Sequence, residues 1–226
     1  MLRSKKFNAL PDVYWSSEFH QTLTKTILDT DQFDIERLKS VISTRNMINF
    51  ISSHHQDRYM YFLEQEDALP SFQCVRLAST LLLTSLGIPR LWQGEEFGDA
   101  RQLNVENRQR TKLPMQWSLL NEPENRNLFH FFQRLIDFRH RFLNSNNVDF
   151  IDENISQRIL AYTRSNETVL IVVNFTNQMK TQYEIKTRTN NQRWCDLFTN
   201  EVYAIDDFTL TLDLAPYEAK VLLRNS

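Results

Sequence analysis

Two short stretches hold the side chains best suited to chemistry. The first, Ser53-His54-His55-Gln56-Asp57, puts two imidazoles next to a carboxylate. The second runs from Gly94 through Glu95, Glu96, Phe97, Gly98, Asp99 and Ala100 to Arg101, three carboxylates and a guanidinium threaded on two glycines. Imidazoles and carboxylates move protons, accept hydrogen bonds from hydroxyls and ligate metals. His54 and His55 make a poor metal pair, because adjacent residues of a strand point to opposite faces; no metal site is expected. Glu95 and Glu96 could form an acid/base pair, border a ligand cleft, or hydrogen-bond the backbone of their own loop. Asp99 and Arg101 are placed to pair across that loop.

Glycine usage singles out the second stretch. The chain's 3 glycines, Gly87, Gly94 and Gly98, fall inside "GIPRLWQGEEFG", where an average chain of this length would carry roughly 16. Gly87 reads as the left-handed residue that ends a helix. Gly94 lets a loop leave a strand tip and Gly98 shapes the same loop.

The elements that position these stretches follow from apolar periodicity. "SSEFHQTLTKTIL" places Phe19, Leu23, Ile27 and Leu28 at helical spacing, and "DIERLKSVI" predicts a further short helix. "NMINFIS" (46–52) and "IPRLWQ" (88–93) read as buried strands, and "FQCVRLASTLLLTSL" as the helix between them. Asn121, with Glu124 three residues on, reads as the cap of a last helix. Leu128, Phe132, Leu135, Phe138 and Phe142 form its buried stripe. Strand-then-helix alternation predicts a parallel sheet with right-handed crossovers, whose functional loops lie at the C-terminal strand ends. Both chemical stretches fall there. Residues 98–120 make a long loop, a length usually functional or disordered; its basic "RQRTK" (108–112) reads as solvated surface.

Near residue 148 the pattern changes to seven short β-rich runs, from "RILAYTRS" to "EAKVLLR", separated by Asn- and Asp-rich turns. An antiparallel β-sandwich is expected. The polar stretch 144–157 is read as the connection, giving domains 1–147 and 148–226. With 226 residues, 41% of them hydrophobic, and a net charge of −2, the chain can bury one or two cores and offers nothing to a nucleic acid. No apolar run suits a membrane span or a secretory leader. Cys74 and Cys195 follow no metal or redox spacing, so a reducing, cytoplasmic setting and no cofactor are expected.

Five segments, in order, resemble the C-terminal part of glycoside hydrolase family 13, the α-amylase and branching-enzyme superfamily. "WSSEFHQTL" is similar to the segment after the family's sixth barrel strand. "FISSHHQDR" resembles its seventh strand, which carries an F-x-x-N-H-D-Q motif, and "GIPRLWQGEEFG" its eighth. "MQWSLLNEPENRNLFHFFQRLIDFRH" is similar to the last barrel helix and its approach, and "LAPYEAKVLL" to the closing strand of the C-terminal β domain. The implied architecture is α/β plus all-β: the last strands and helices of a (β/α)8 barrel, followed by the sandwich.

The resemblance implies retaining cleavage or transfer of α-glucosidic bonds, by a carboxylate nucleophile after strand four and an acid after strand five, about 5–5.5 Å apart. Neither segment is in this sequence, so no catalytic set is intact and the chain alone is expected to be inactive. A separate N-terminal barrel half and an α-glucan are the implied partners. The alternatives are a non-catalytic glucan-binding or scaffold protein, or a degenerate remnant. Aligned on the seventh-strand motif, Ser53 takes the place of its Asn, His54 of its His, and His55 of the Asp that steadies the transition state. A unit charge ~4 Å from that centre is worth about 4 kcal/mol at an effective dielectric of ~20, on the order of a thousandfold in rate. Asp57, two residues on, would share a face only if the strand continued. His54, Glu95 and Glu96 remain as substrate-binding candidates, and Trp92 and Trp117 as possible sugar platforms, Trp92 sitting in an apolar run that reads as core.

Overall fold

The structure is a computed structural model; it describes residues 13–28, 33–53, 57–66, 70–102, 114–143, 145–188, 190 and 192–225. Three short parallel strands, β1 (Tyr14–Trp15), β2 (Met47–Asn49) and β3 (Ile88–Pro89), pair in that order. Helices α1 (Glu18–Leu28) and α2 (Ile35–Ser43) connect the first pair, and α3 (Tyr59–Glu64) and α4 (Ser71–Thr84) the second. Helix α5 (Pro123–Phe142) follows the loop after β3. Asp34 caps α2, its carboxylate accepting from the Arg37 amide at 2.9 Å. Of the apolar positions expected on α1, Phe19, Leu23 and Ile27 are buried and Leu28 is partly buried against the same core.

The second part is one antiparallel sheet of eight strands: β4 (Val148–Asn154), β5 (Ile159–Arg164), β6 (Val169–Asn174), β7 (Lys180–Lys186), β8 (Arg193–Asp196), β9 (Val202–Asp206), β10 (Thr209–Leu214) and β11 (Ala219–Asn225). Their spatial order is β4-β5-β6-β11-β8-β9-β10-β7. The sheet curls until its edges, β4 and β7, approach each other, in place of the two separate sheets of the expected sandwich. Bulges between Phe150 and Asp152 and between Leu212 and Leu214 bend the sheet and add twist. The segment expected to be a polar connection contributes β4, because Val148 and Phe150 pack on the core.

Alternation on β5, β6 and β11 joins the two parts. Leu160, Tyr162, Ile171, Val173 and Val221 enter the core shared with the helices, while Ile159, Ala161, Leu170, Val172 and Leu222 line the inside of the curled sheet. Burial on both faces explains why β6 reads as a continuous apolar run. At the C-terminus of α4, two arginines supply the donors its last carbonyls lack. Arg139 donates to the carbonyls of Leu83 and Gly87 at 2.6 and 2.9 Å. Arg164 donates to the carbonyl of Thr84, and to those of Asn147 and Ser145 at 2.9 and 3.1 Å. Burial lowers its guanidinium to about 10.

Several local expectations give way to packing. Gly87 is absent from the left-handed residues, which include Gly94 and Gly98. It is glycine because a Cβ there would lie 2.5 Å from the Asn49 amide nitrogen and 2.7 Å from the Met47 carbonyl oxygen. Glu122, not Asn121, occupies the N-cap of α5, with Pro123 in the first turn. Phe142, at the last turn of α5, is 41% exposed, since the helix ends beyond the core it packs on. The expected second buried strand shortens to Ile88–Pro89, and Ile88 is 49% exposed because no described element covers its side of the small sheet.

Candidate functional site

The C-terminal ends of β2 and β3 are tied together by side chains that flank the first chemical stretch, Ser52 and Arg58, and side chains of the second. The Ser52 hydroxyl donates to Glu95 Oε1 at 2.5 Å and accepts from the Tyr59 amide at 2.9 Å. Glu95 Oε2 accepts from the Trp92 amide at 3.1 Å. Its neighbour Glu96 accepts from the Gly94 amide at 2.8 Å. Glu95 is 5% exposed, and burial pushes its carboxyl up to about 7 against the pull of the Ser52 and Trp92 hydrogen bonds and the Arg58 charge. Both glutamates therefore hold the backbone of their own loop. Glu96 also lines a cavity of about 240 Å³ between this loop and α5, with Trp92, Gln93, Phe129 and Gln133.

Asp99 is fully buried between two arginines. Arg101 reaches both its oxygens, at 2.9 Å from Nε and 2.5 Å from Nη2, and its backbone amide adds a bond at 3.1 Å. Arg58 lies 3.3 Å from Oδ2 and donates to the Gln93 carbonyl at 2.6 Å. Burial alone would raise the Asp99 carboxyl; the arginine hydrogen bonds and charges outweigh it and hold it below its ordinary value. The loop turns through Gly94 (φ +92°) and Gly98 (φ +71°). A Cβ on Gly94 would meet Arg58 Nη1 at 3.0 Å and the Asp99 Cβ at 3.1 Å.

Arg90, one residue past β3, lies between two indoles, 4.8 Å from the Trp15 ring and 5.0 Å from the Trp92 ring, and donates to the Ser52 carbonyl at 3.2 Å. On the other side of the β2 tip, His20 Nδ1 lies 2.6 Å from the Ile51 carbonyl oxygen. Burial lowers its pKa, so the neutral ring donates from Nδ1.

Of the candidates read from sequence, Glu95, Glu96, Asp99 and Arg101 come together with Ser52 and Ser53 nearby. His54 and His55 lie outside the described residues, as does 108–112. Asp57 sits ahead of α3, past the end of β2, so no continued strand aligns it with the tip. Trp117 is exposed and packs on Phe97 at 5.6 Å. Sequence reading passed over Arg58, Arg90, Ser52 and Trp15. One signal was available for Arg58: three carboxylates on one loop with a single nearby guanidinium call for a second cation. Among the described residues, no three His, Cys, Asp or Glu side chains are grouped to hold a metal ion.

A curled antiparallel domain behind short parallel strands with interlocked tips is matched by known proteins. Residues 148–221 match the family described as Maltogenic Amylase, C-terminal domain. Neopullulanase 2 of Thermoactinomyces vulgaris is 26% identical over 204 residues, covering 86% of this chain and 33% of that protein. The cyclomaltodextrinase of Geobacillus thermopakistaniensis is 28% identical over 147 residues, 63% of this chain and 24% of that one. Among solved structures, the α-amylase of Geobacillus thermoleovorans in complex with acarbose superposes with a TM-score of 0.71 at 17% identity, over 92% of this chain and 47% of that one. These matches define a class, the C-terminal regions of amylase-type, carbohydrate-active proteins. Within it, the chain resembles the C-terminal part of glycoside hydrolase family 13. It spans a third or less of the length of these two curated relatives.

Proposed function

We propose that residues 1–147 are the last strands and helices of a (β/α)8 barrel and 148–226 its C-terminal β domain, and that the chain serves α-glucan metabolism. The parallel order β1-β2-β3, with a helical crossover between each pair and the two chemical stretches at the C-terminal tips, carries this reading. The amylase relatives, one of them solved with acarbose, support an α-glucan as the ligand. In this reading His54 and Glu96 border the glucan, and Glu95 supports the loop from beneath. Aligned on the seventh-strand motif, His55 takes the place of the carboxylate that would steady the glucosyl cation, and the carboxylates expected after strands four and five are not among these residues. The 226 residues alone bind α-glucan without cleaving or transferring it. The outer edges of β1 and β3 have no paired strand among the described residues, which suits a separate N-terminal barrel half as partner. Both cysteines are free, which suits a cytoplasmic setting.

Affinity electrophoresis through gels containing glycogen or amylopectin tests the binding. The chain should be retarded and should release no reducing sugar. Unretarded migration rejects glucan binding, and turnover at enzyme rates rejects the inactivity.

A further inference from the structure

The end of the curled sheet where β5 and β7 finish and β6 and β8 begin encloses a cavity of about 20 Å³, room for about one water molecule. Ile151 and Leu170 give it apolar walls. Thr163 of β5, Trp194 of β8 and Gln192, just ahead of β8, also line it. The Thr163 hydroxyl, the Trp194 Nε1 and the Gln192 Oε1 are buried and have no hydrogen-bond partner in the protein. Thr163 is 5% exposed and Trp194 3%. Three such groups on one small cavity call for an occupant, because a buried polar atom left unpaired loses its hydration without replacement.

The donor and acceptor types select that occupant. The indole N–H only donates, the amide oxygen only accepts, and the hydroxyl does either. A single molecule that serves all three must accept from Trp194 and donate to Gln192. A metal or ammonium ion cannot accept from the indole, and a halide cannot donate to the amide oxygen. The charges that line the cavity are matched to each other, Arg188 pairing with Glu167 at 3.2 Å. Alcohols and larger neutral solutes need more room than one water's share. Water has both the size and the two roles.

We propose that this cavity is the binding site of one long-lived internal water molecule, which accepts from Trp194 Nε1, donates to Gln192 Oε1 and hydrogen-bonds the Thr163 hydroxyl. In the sheet, β5 and β8 are separated by β6 and β11, so no ladder hydrogen bond joins them. The water bridges them instead. The Glu167–Arg188 pair links the β5–β6 turn to the segment after β7 at the same cavity. Together the two contacts close this end of the curled sheet. The inference does not depend on the α-glucan reading.

The test is oxygen-17 relaxation dispersion of the whole chain, which counts waters held for longer than the protein takes to tumble. Water-selective NOE spectra of the 4 tryptophan indole N–H protons accompany it. Trp194→Phe assigns the indole signal and removes the donor, while Thr163→Val and Gln192→Met each remove one other partner. The expected result is a direct water contact at the Trp194 indole proton, and loss of the dispersion due to about one water in Trp194→Phe and in Thr163→Val. Gln192 is only half-buried, so Gln192→Met reports on the site, by weakened or lost dispersion, even if the other two variants unfold. A Trp194 indole proton with no water contact overturns the proposal. Dispersion unchanged in every folded variant overturns the three-point bridge. A saturable shift of the Trp194 indole on adding sodium bromide assigns the cavity to an anion and overturns the water.

Discussion

Replacing Glu95 by Gln should remove a pH dependence built into the strand-tip loop. The Glu95 carboxyl is buried, and its pKa rises from an ordinary 4.5 to about 7. The folded chain therefore binds this proton more tightly than the unfolded chain. Stability from this group is fully present below about pH 4.5 and declines as pH rises towards about 7, where the folded carboxyl also ionises; above that it is flat. At about 1.4 kcal/mol per pKa unit the loss is on the order of 3 kcal/mol. Glutamine keeps an acceptor for the Ser52 hydroxyl and cannot ionise. Its poorer match to the Trp92 amide is a pH-independent cost. His20 and Asp99 titrate in both proteins and cancel in the difference. Urea unfolding of the two proteins from pH 4.5 to 8 is the assay. With m of about 1–3 kcal/mol/M, the midpoint difference should change by about 1 M or more in favour of Glu95→Gln as pH rises. A difference that stays constant across that range would refute the claim that burial holds this carboxyl neutral.

Three further outcomes follow from the same contacts. Asp99→Asn leaves Arg58 and Arg101 without their shared counter-ion and should cost about 3–5 kcal/mol in chemical denaturation at pH 7. Because the Asp99 pKa is lowered in the folded state, wild-type stability from this group is present above the ordinary aspartate range and lost as pH falls through the folded value, so the penalty should shrink in acid; a penalty that persists there contradicts the pairing. Arg164→Met removes the donor to the carbonyls of Thr84, Ser145 and Asn147 and should cost about 2–4 kcal/mol, read as a drop in melting temperature; a change under about 0.5 kcal/mol would mean α4 ends without it. Gly94→Ala forces a Cβ into a left-handed turn beside Arg58 and Asp99 and should cost about 1–2 kcal/mol by the same measurement, whereas full wild-type stability would show that the turn relaxes.

Long apolar helices were legible because their packing face is written at fixed spacing. Phe19, Leu23 and Ile27, and later Leu128, Phe132, Leu135 and Phe138, are buried where expected. The parallel strands were located but overextended, since Leu91 and Trp92 are apolar for packing beside the loop and not for pairing in a strand. The β4 strand hides behind Asp and Asn residues whose partner is distant in sequence: Asp152 and Asn154 bond to the Tyr183 hydroxyl of β7. Gly87 misled because a steric demand from Asn49 and Met47, distant in sequence, leaves the same residue type as a helix stop. At the site, the carboxylates and Arg101 were visible as a cluster, but the partners that fix their roles come from elsewhere. Ser52 and Arg58 precede the loop by some forty residues, and only the fold brings them to Glu95 and Asp99.

The account as a whole turns on binding without turnover. Incubating the purified chain with glycogen and with maltoheptaose, while following retention on the polymer and reducing-end release and transfer, measures both at once. Retention with no product above the enzyme-free control is the predicted result. Sugar released or transferred catalytically by these 226 residues alone would contradict it.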